Sequence, residues 1–500
     1  TAVELLKLTL ARHEQTHRRL NAVVAADLER ALERAKAIDD IRARGGALGP
    51  LAGLPMTIKD TLDVSGMPAS AGLEVFRRRQ AEDAAVVAQA RRAGAVIWGK
   101  TNVPVMAGDW QSFNSLYGTS NNPWDVTRTP GGSSGGAAAA LAAGVTALEI
   151  GSDIGGSLRV PAHFCGVFSH KPTWALTPQH GHVPPRPGSW QEPDLNVIGP
   201  MARSARDLRL LLSVIADGGV SPKAPPADLT KARIGLWLEA PGLPLDPQVK
   251  GVLEAFGVEL AAAGAQVEVI SPPVDVETLL ESYLLLLGSI IGADLPASQI
   301  RRMELMRPAA RFARGRGAGP FSWAGSVMAY TARHRDWLAA DAIRARLRRE
   351  MEAVFEGYDA ILAPIAPGTA FPHSQGAFPS RRLKFSDGGG APYITMLGWI
   401  ALATACLLPA TTVPAGIAAD GLPVGAQLIG GHGSDARLLS LAQAIDENVR
   451  GFTRPRRGVA ASAHRRPGLG QQRRAVDQPD QGIGLGVVAP QLVPVEGDVL

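Results

Sequence analysis

Cysteine is nearly absent: Cys165 and Cys406 are the only two in 500 residues. That excludes a disulfide scaffold and any metal centre built from cysteine alone. Charge is sparse, at 19% against 46% apolar content, so the chain is neither intrinsically disordered nor highly charged and has ample material for a core. Acidic residues are missing from 451–474, where seven arginines stand, and residues 451–500 carry +3 of the chain's net +5. The first 450 residues are close to neutral and show no basic cluster interleaved with stacking aromatics. This argues against a nucleic-acid partner for the body of the protein. The opening TAVELLKLTL has no Met and is amphipathic, without a basic segment leading into an apolar one. No secretory leader is expected there, and the chain reads as a soluble, cytoplasmic protein.

One long run does lack charge altogether, residues 388–419, and its 32 residues are enough to cross a bilayer. Pro392, Pro409 and Pro414, with five glycines, would break a spanning helix, so a buried helix followed by a buried strand is expected and no membrane span. Elsewhere the pattern alternates. Leu28, Ala31, Leu32, Ala35, Ile38 and Ile41 recur at helical spacing, so the first 45 residues read as helix, turn, helix. A strand is expected over 55–58, a helix over 83–92 and a strand over 95–100. After two glycine-rich passages around 129–140 and 151–157, the strand–helix rhythm resumes, and 277–355 read as mostly helical. This is an α/β layered fold. The only boundary falls near residue 452: 1–452 form one domain, and 453–500 form a basic, Pro- and Gly-rich tail without hydrophobic period.

Three places carry chemistry. Lysine is rare, nine against 42 arginines, and Lys59 closes an apolar strand. Burial there would push its amine down from about 10.4 toward neutrality and make it a base; otherwise it pairs with Asp60 or Asp63 or reaches water. The second place is TPGGSSGGAAAA, residues 129–140, where four glycines surround Ser133 and Ser134 at a helix start. A phosphate loop would need a preceding strand and a Lys-Ser/Thr pair, both missing. Gly132-Ser133-Ser134-Gly135-Gly136 formally fits the G-x-S-x-G elbow, which also needs a strand before it, and a plain helix-capping serine remains open. The third place is GSDIGGSLRVPA, residues 151–162, where the amides of Ile154, Gly155, Gly156 and Ser157 can converge on an oxyanion, with Asp153 and Arg159 as a rigidifying pair. A serine-capped glycine turn is the plain alternative.

Lys59, Ser133 and Ser157 follow one another at spacings of 74 and 24 residues. With GLPMTIKD, NPWDVTRTPGGSSGG, GSDIGGSLRVPAHFCGV, KPT (171–173), IGPMARSARDL (198–208) and VPAG…GLPVGAQLIG (413–430), the chain resembles the amidase signature family over residues 3–450. The resemblance implies a single α/β/α domain with a central twisted mixed β-sheet flanked by helices. It also implies amide hydrolysis without metal or cofactor: Ser157 as nucleophile, Ser133 as bridging serine on a cis peptide, and Lys59 as base. Ser134 is then expected to hydrogen-bond within its loop, with Asp153 and Arg159 supporting the site. Cys165, close to Ser157, reads as a buried apolar thiol.

Within the family, the A subunits of glutamine-dependent aminoacyl-tRNA amidotransferases typically carry D-T-G-G-S and an acidic D-E-F stretch after G-K-T-N. Here SDIGGS and VPVMAGDW stand in those places, which resembles the stand-alone amidases. The expected partner is a small-molecule amide, with a homodimer left open. Trp174, Trp190, Phe321 and Trp323 would favour an apolar or aromatic acyl group. The alternatives are a Ser-His-Asp esterase using Ser134 with His373 or His432, an A-type glutaminase subunit, and a chain that only binds.

Overall fold

The computed structural model describes residues 1–218, 220–221 and 225–455. Most of the tail expected over 453–500 lies outside the described residues. Eleven strands build one mixed sheet: β1 (Val23–Ala26), β2 (Pro55–Lys59), β3 (Val96–Thr101), β4 (Leu148–Asp153), β5 (Phe168–Lys171), β6 (Val197–Ala202), β7 (Arg233–Leu236), β8 (Gln266–Val269), β9 (Ala360–Pro364), β10 (Ala410–Ile417) and β11 (Pro423–Ile429). Their order is β1-β3-β2-β4-β6-β5-β10-β11-β9-β7-β8. The pairs β3/β2, β2/β4, β9/β7 and β7/β8 are parallel and the others antiparallel.

Helices cover both faces. They are α1 (Ala2–Leu20), α2 (Leu28–Ala43), α3 (Ala85–Arg92), α4 (Gly135–Ala143), α5 (Arg159–Cys165), α6 (Ala205–Ile215), α7 (Pro247–Ala262), α8 (Val276–Ala293), α9 (Ala297–Gly315), α10 (Trp323–Tyr330), α11 (His334–Gly357), α12 (Ala401–Ala405) and α13 (Asp435–Asn448). One core joins the sheet to α3, α6, α7 and α13; a second joins it to α5, α8, α11 and α12. The pleat sorts the strands between them: Met56, Ile58, Leu148 and Ile150 enter the first core. α4 is an alanine-rich helix buried at every position, because it lies between the sheet and α5 rather than on the surface.

The strands expected over 55–58 and 95–100 and the helix at 83–92 all form, with ends moved by up to two residues. Three strands of the large sheet were not foreseen. β1 occupies the expected turn between α1 and α2; β5 is short and polar at three of its four positions; β6 contains Gly199-Pro200, which reads as a turn. In the sheet Gly199 is required, since a Cβ there would strike the His170 carbonyl. The uncharged run 388–419 becomes a short, largely exposed hairpin strand (Gly390–Pro392), then the buried α12 and the mostly buried β10. Among the described residues one helix, α8, is long and apolar enough to cross a membrane, with a mean hydropathy of 1.5, and half of it is buried against the rest of the protein.

Candidate active site

The site forms where parallel strands β2 and β4 end side by side. Lys59 is the last residue of β2 and Asp153 the last of β4, so one register brings the lysine and the second glycine-rich loop together. Lys59 is fully buried. Neither neighbouring acid takes it, because Asp60 pairs with Lys100 at 2.7 Å and Asp63 with Arg79. Its Nζ instead lies 2.7 Å from Ser133 Oγ and 2.9 Å from Ser152 Oγ, with the Ser152 carbonyl at 3.5 Å. Burial lowers the ammonium to about 7, against the opposing pull of Asp153 and Glu149. Glu149, hydroxyl-bonded by Thr57 and Thr101, is itself raised to about 8 by burial. A neutral amine on Lys59 is thus accessible near pH 7.

Ser133 sits on a cis Gly132–Ser133 peptide, in a loop that only glycine can supply. A Cβ on Gly132 would collide with backbone atoms of Asp109, Trp110 and Gln111. The two serine loops are tied directly: the Ser134 N–H donates to the Ser157 carbonyl at 3.2 Å. Ser157, 7% exposed, stands two residues before α5 and is the least enclosed of the three. Lys59 and Ser133 are in hydrogen-bond contact, whereas among the described residues no protein group is hydrogen-bonded to Ser157 Oγ.

The glycine turn after β4 is set by side chains from elsewhere. Tyr283 Oη of α8 donates to the Ile154 carbonyl at 3.0 Å and Trp110 Nε1 to the Gly155 carbonyl at 2.8 Å. Holding those carbonyls fixes their peptide planes and the N–H groups on the opposite edges. Gly156, at φ +90°, donates to Asp153 Oδ1 at 2.9 Å, so its amide is already used. The expected oxyanion donors therefore reduce to the amides of Ile154, Gly155 and Ser157, on which the described residues place no acceptor.

Asp153 and Arg159 form the expected pair, 2.9 Å apart and fully buried. The carboxylate also takes the amides of Leu158 and Arg159; the guanidinium reaches Ile400 O, Gln427 Oε1 and Thr404 Oγ1 at 2.7–3.1 Å. Burial pushes Asp153 up, but Arg159 and these bonds outweigh it and hold the carboxyl at about 2.

Ser134 departs from expectation. Its hydroxyl is buried against Gly151 and has no hydrogen-bond partner among the described residues; the loop is held instead by Ser112 Oγ, which donates to the Gly131 carbonyl and accepts from the Gly135 N–H. It meets neither His373 nor His432, which removes the Ser-His-Asp reading. Cys165 is buried with its thiol raised by desolvation. The expected aromatic wall also changes. Trp190 is 80% exposed, stacked on His180, and Trp323 is 48% exposed, while Trp174 and Phe321 pack at the edge of the second core. Leu397 and Ile400 lie against Gly155 and Gly156 instead.

Sequence reasoning missed Ser152, His182, Tyr283 and Trp110; a serine inside SDIGGS was the one visible signal. Among the described residues no three His, Cys, Asp or Glu side chains gather as a metal-ligand set.

The amidase family model matches residues 4–439. A curated relative, the A subunit of the glutamyl-tRNA(Gln) amidotransferase of Symbiobacterium thermophilum, is 34% identical over 483 residues, covering 89% of this chain and 93% of the relative. Among solved structures, a chain of an inhibitor-bound vestigial complex bearing on the origins of an s-triazine catabolic enzyme superposes with a TM-score of 0.74 at 26% identity, covering 91% of this chain and 96% of the other. A crystal structure described as an amidase gives 0.72 at 28%, covering 90% and 96%. With the matched model spanning nearly the whole described chain, this protein belongs to the amidase signature family, whose enzymes act on amide C–N bonds.

Proposed function

We propose that the protein cleaves a carboxylic acid amide through an acyl-enzyme on Ser157. The observation that carries this reading is the buried 2.7 Å contact between Lys59 Nζ and Ser133 Oγ. Neutral Lys59 takes the Ser133 proton as Ser133 takes that of Ser157, and Ser157 Oγ bonds to the amide carbon. The amides of Ile154, Gly155 and Ser157 hold the developing oxyanion. The C–N bond then breaks as the proton returns through Ser133 to the leaving nitrogen. Water attacks the acyl-enzyme by the same route in reverse. Asp153 and Arg159 hold the loop that carries Ser157.

Two contexts fit this chemistry, a stand-alone amidase and an A-type glutaminase subunit of an amidotransferase. The name of the curated relatives supports the subunit reading over the stand-alone one. Ile154, in place of the threonine of D-T-G-G-S, and the apolar Leu397 and Ile400 beside the loop favour the stand-alone reading.

Ammonia release from L-glutamine and from benzamide tests both. Ser157→Ala should lower hydrolysis of either by at least about 10³-fold; retained activity would overturn the nucleophile assignment. Glutamine hydrolysis that appears only with a co-purified partner supports the subunit reading, and benzamide hydrolysis by the isolated chain supports the amidase.

A further inference from the structure

Lys59 has a second hydroxyl neighbour whose proton direction is fixed by a histidine outside the three sequence sites. His182 Nδ1 lies 2.6 Å from the Pro184 carbonyl, and its Nε2 lies 2.8 Å from Ser152 Oγ. A carbonyl only accepts, so Nδ1 carries the hydrogen, and in the neutral ring Nε2 offers a lone pair. The Ser152 hydroxyl must then donate to His182. Having given its one proton away, Ser152 Oγ can only accept from Lys59, 2.9 Å away. The Ser152 carbonyl, at 3.5 Å, is likewise an acceptor only. A neutral lysine amine has two N–H bonds and one lone pair. With both N–H bonds drawn to Ser152, the lone pair is left for Ser133, the remaining partner at 2.7 Å.

We propose that His182 is a positioning residue: acting through Ser152, its Nδ1–H tautomer orients the Lys59 amine so that the lone pair faces the Ser133 hydroxyl. The assignment rests on the relay given above. Without His182, the Ser152 hydroxyl is free to turn and donate to Lys59, which would occupy the lone pair that Ser133 needs.

The surroundings keep the ring neutral and still. Burial and the nearby Lys59 lower its imidazolium to about 3, against the Pro184 carbonyl, while Glu149 and Asp153 face Lys59 in turn. The backbone is clamped to the segment following β2 by a Leu62–His182 bridge and a 2.8 Å bond from the Val183 N–H to the Thr61 carbonyl.

The test uses phenylmethanesulfonyl fluoride, which needs no knowledge of the substrate. Its sulfur bonds to Ser157 Oγ, fluoride leaves, and the serine proton passes through Ser133 to Lys59. The rate is read by intact mass from pH 5 to 10 on the full chain. His182→Phe should lower the rate about 30-fold on the alkaline plateau, where Lys59 is already neutral, with the inflection little moved. Ser152→Ala followed by His182→Phe should add less than about twofold, because the histidine acts through that hydroxyl. Ser152→Thr, which keeps the hydroxyl, should stay within about threefold of wild type.

An unchanged plateau, or losses that multiply in the double variant, would overturn the proposal. Thermal melting separates an unfolded His182→Phe from an inactive one, and if it does not fold, His182→Asn is read in its place. Labelling that survives Ser157→Ala or Lys59→Met would instead overturn the relay itself.

Discussion

Two lysines in this molecule are equally buried and equally perturbed, yet only one stands where it can act as a base. Lys59 and Lys171 are both lowered to about 7, chiefly by desolvation. Lys171, at the end of β5, donates to the carbonyls of Pro172 at 3.0 Å and Leu408 at 2.8 Å. Carbonyls have no proton to give, so among the described residues a neutral Lys171 has nothing to deprotonate. Lys59 faces two hydroxyls. A depressed pKa thus makes a lysine available as a base, and the neighbour decides whether that availability is used.

The comparison breaks first on rate. Lys59→Met should lower Ser157-dependent hydrolysis by about 10³- to 10⁴-fold, whereas Lys171→Met should change it by less than about tenfold, both read as kcat/KM for ammonia release. Equal losses would mean that the rate follows buried positive charge rather than the hydroxyl partner.

Support of the loop gives the next effect. Asp153→Asn leaves Arg159 buried beside an uncharged partner and should cost about 3–5 kcal/mol of stability, measured by urea unfolding. Among the described residues Lys171 has no such charge partner at hydrogen-bond distance, so its loss should cost less. A shift below about 1 kcal/mol for Asp153→Asn would show that the backbone bonds alone hold the turn.

On pH the two lysines should agree in stability and part in activity. Each has a folded pKa below its unfolded value, so between about 7 and 10.5 the unfolded chain binds more protons and stability rises with pH. Below about 7 both states are protonated and the contribution stays constant. Lys171→Met should flatten the rise of unfolding free energy over that window and leave the acid limb of kcat/KM near pH 7 in place. Were that limb to move with Lys171, Lys59 would not be the group behind it.

What could be read from the sequence follows the same division. Lys59, Ser133 and Ser157 stood out singly as one of nine lysines and as serines among glycines, but their grouping was legible only from the sequence blocks that resemble the amidase signature family. Asp153 and Arg159 were legible because they lie six residues apart. His182, Trp110 and Tyr283 were not: they reach the site from 30, 45 and 129 positions away, and only the fold makes them neighbours. Strand β6 was hidden for a related reason, since Gly199-Pro200 is turn chemistry until a packed sheet demands a residue without a side chain.

The smallest effect concerns the aromatics. Trp190 and Trp323 stood out by residue type alone as walls of an acyl pocket, yet they are 80% and 48% exposed, while Leu397 and Ile400 are buried against the glycine turn. An exposed ring excludes little water from a bound substrate and so has little binding free energy to give. Trp190→Ala should therefore leave KM for benzamide within about twofold, whereas Leu397→Ala, which opens a gap beside Gly155, should raise it about fivefold or more. A large KM change in Trp190→Ala alone would mean that the segment around residue 190 folds over the site when substrate binds, and would return that tryptophan to the pocket wall.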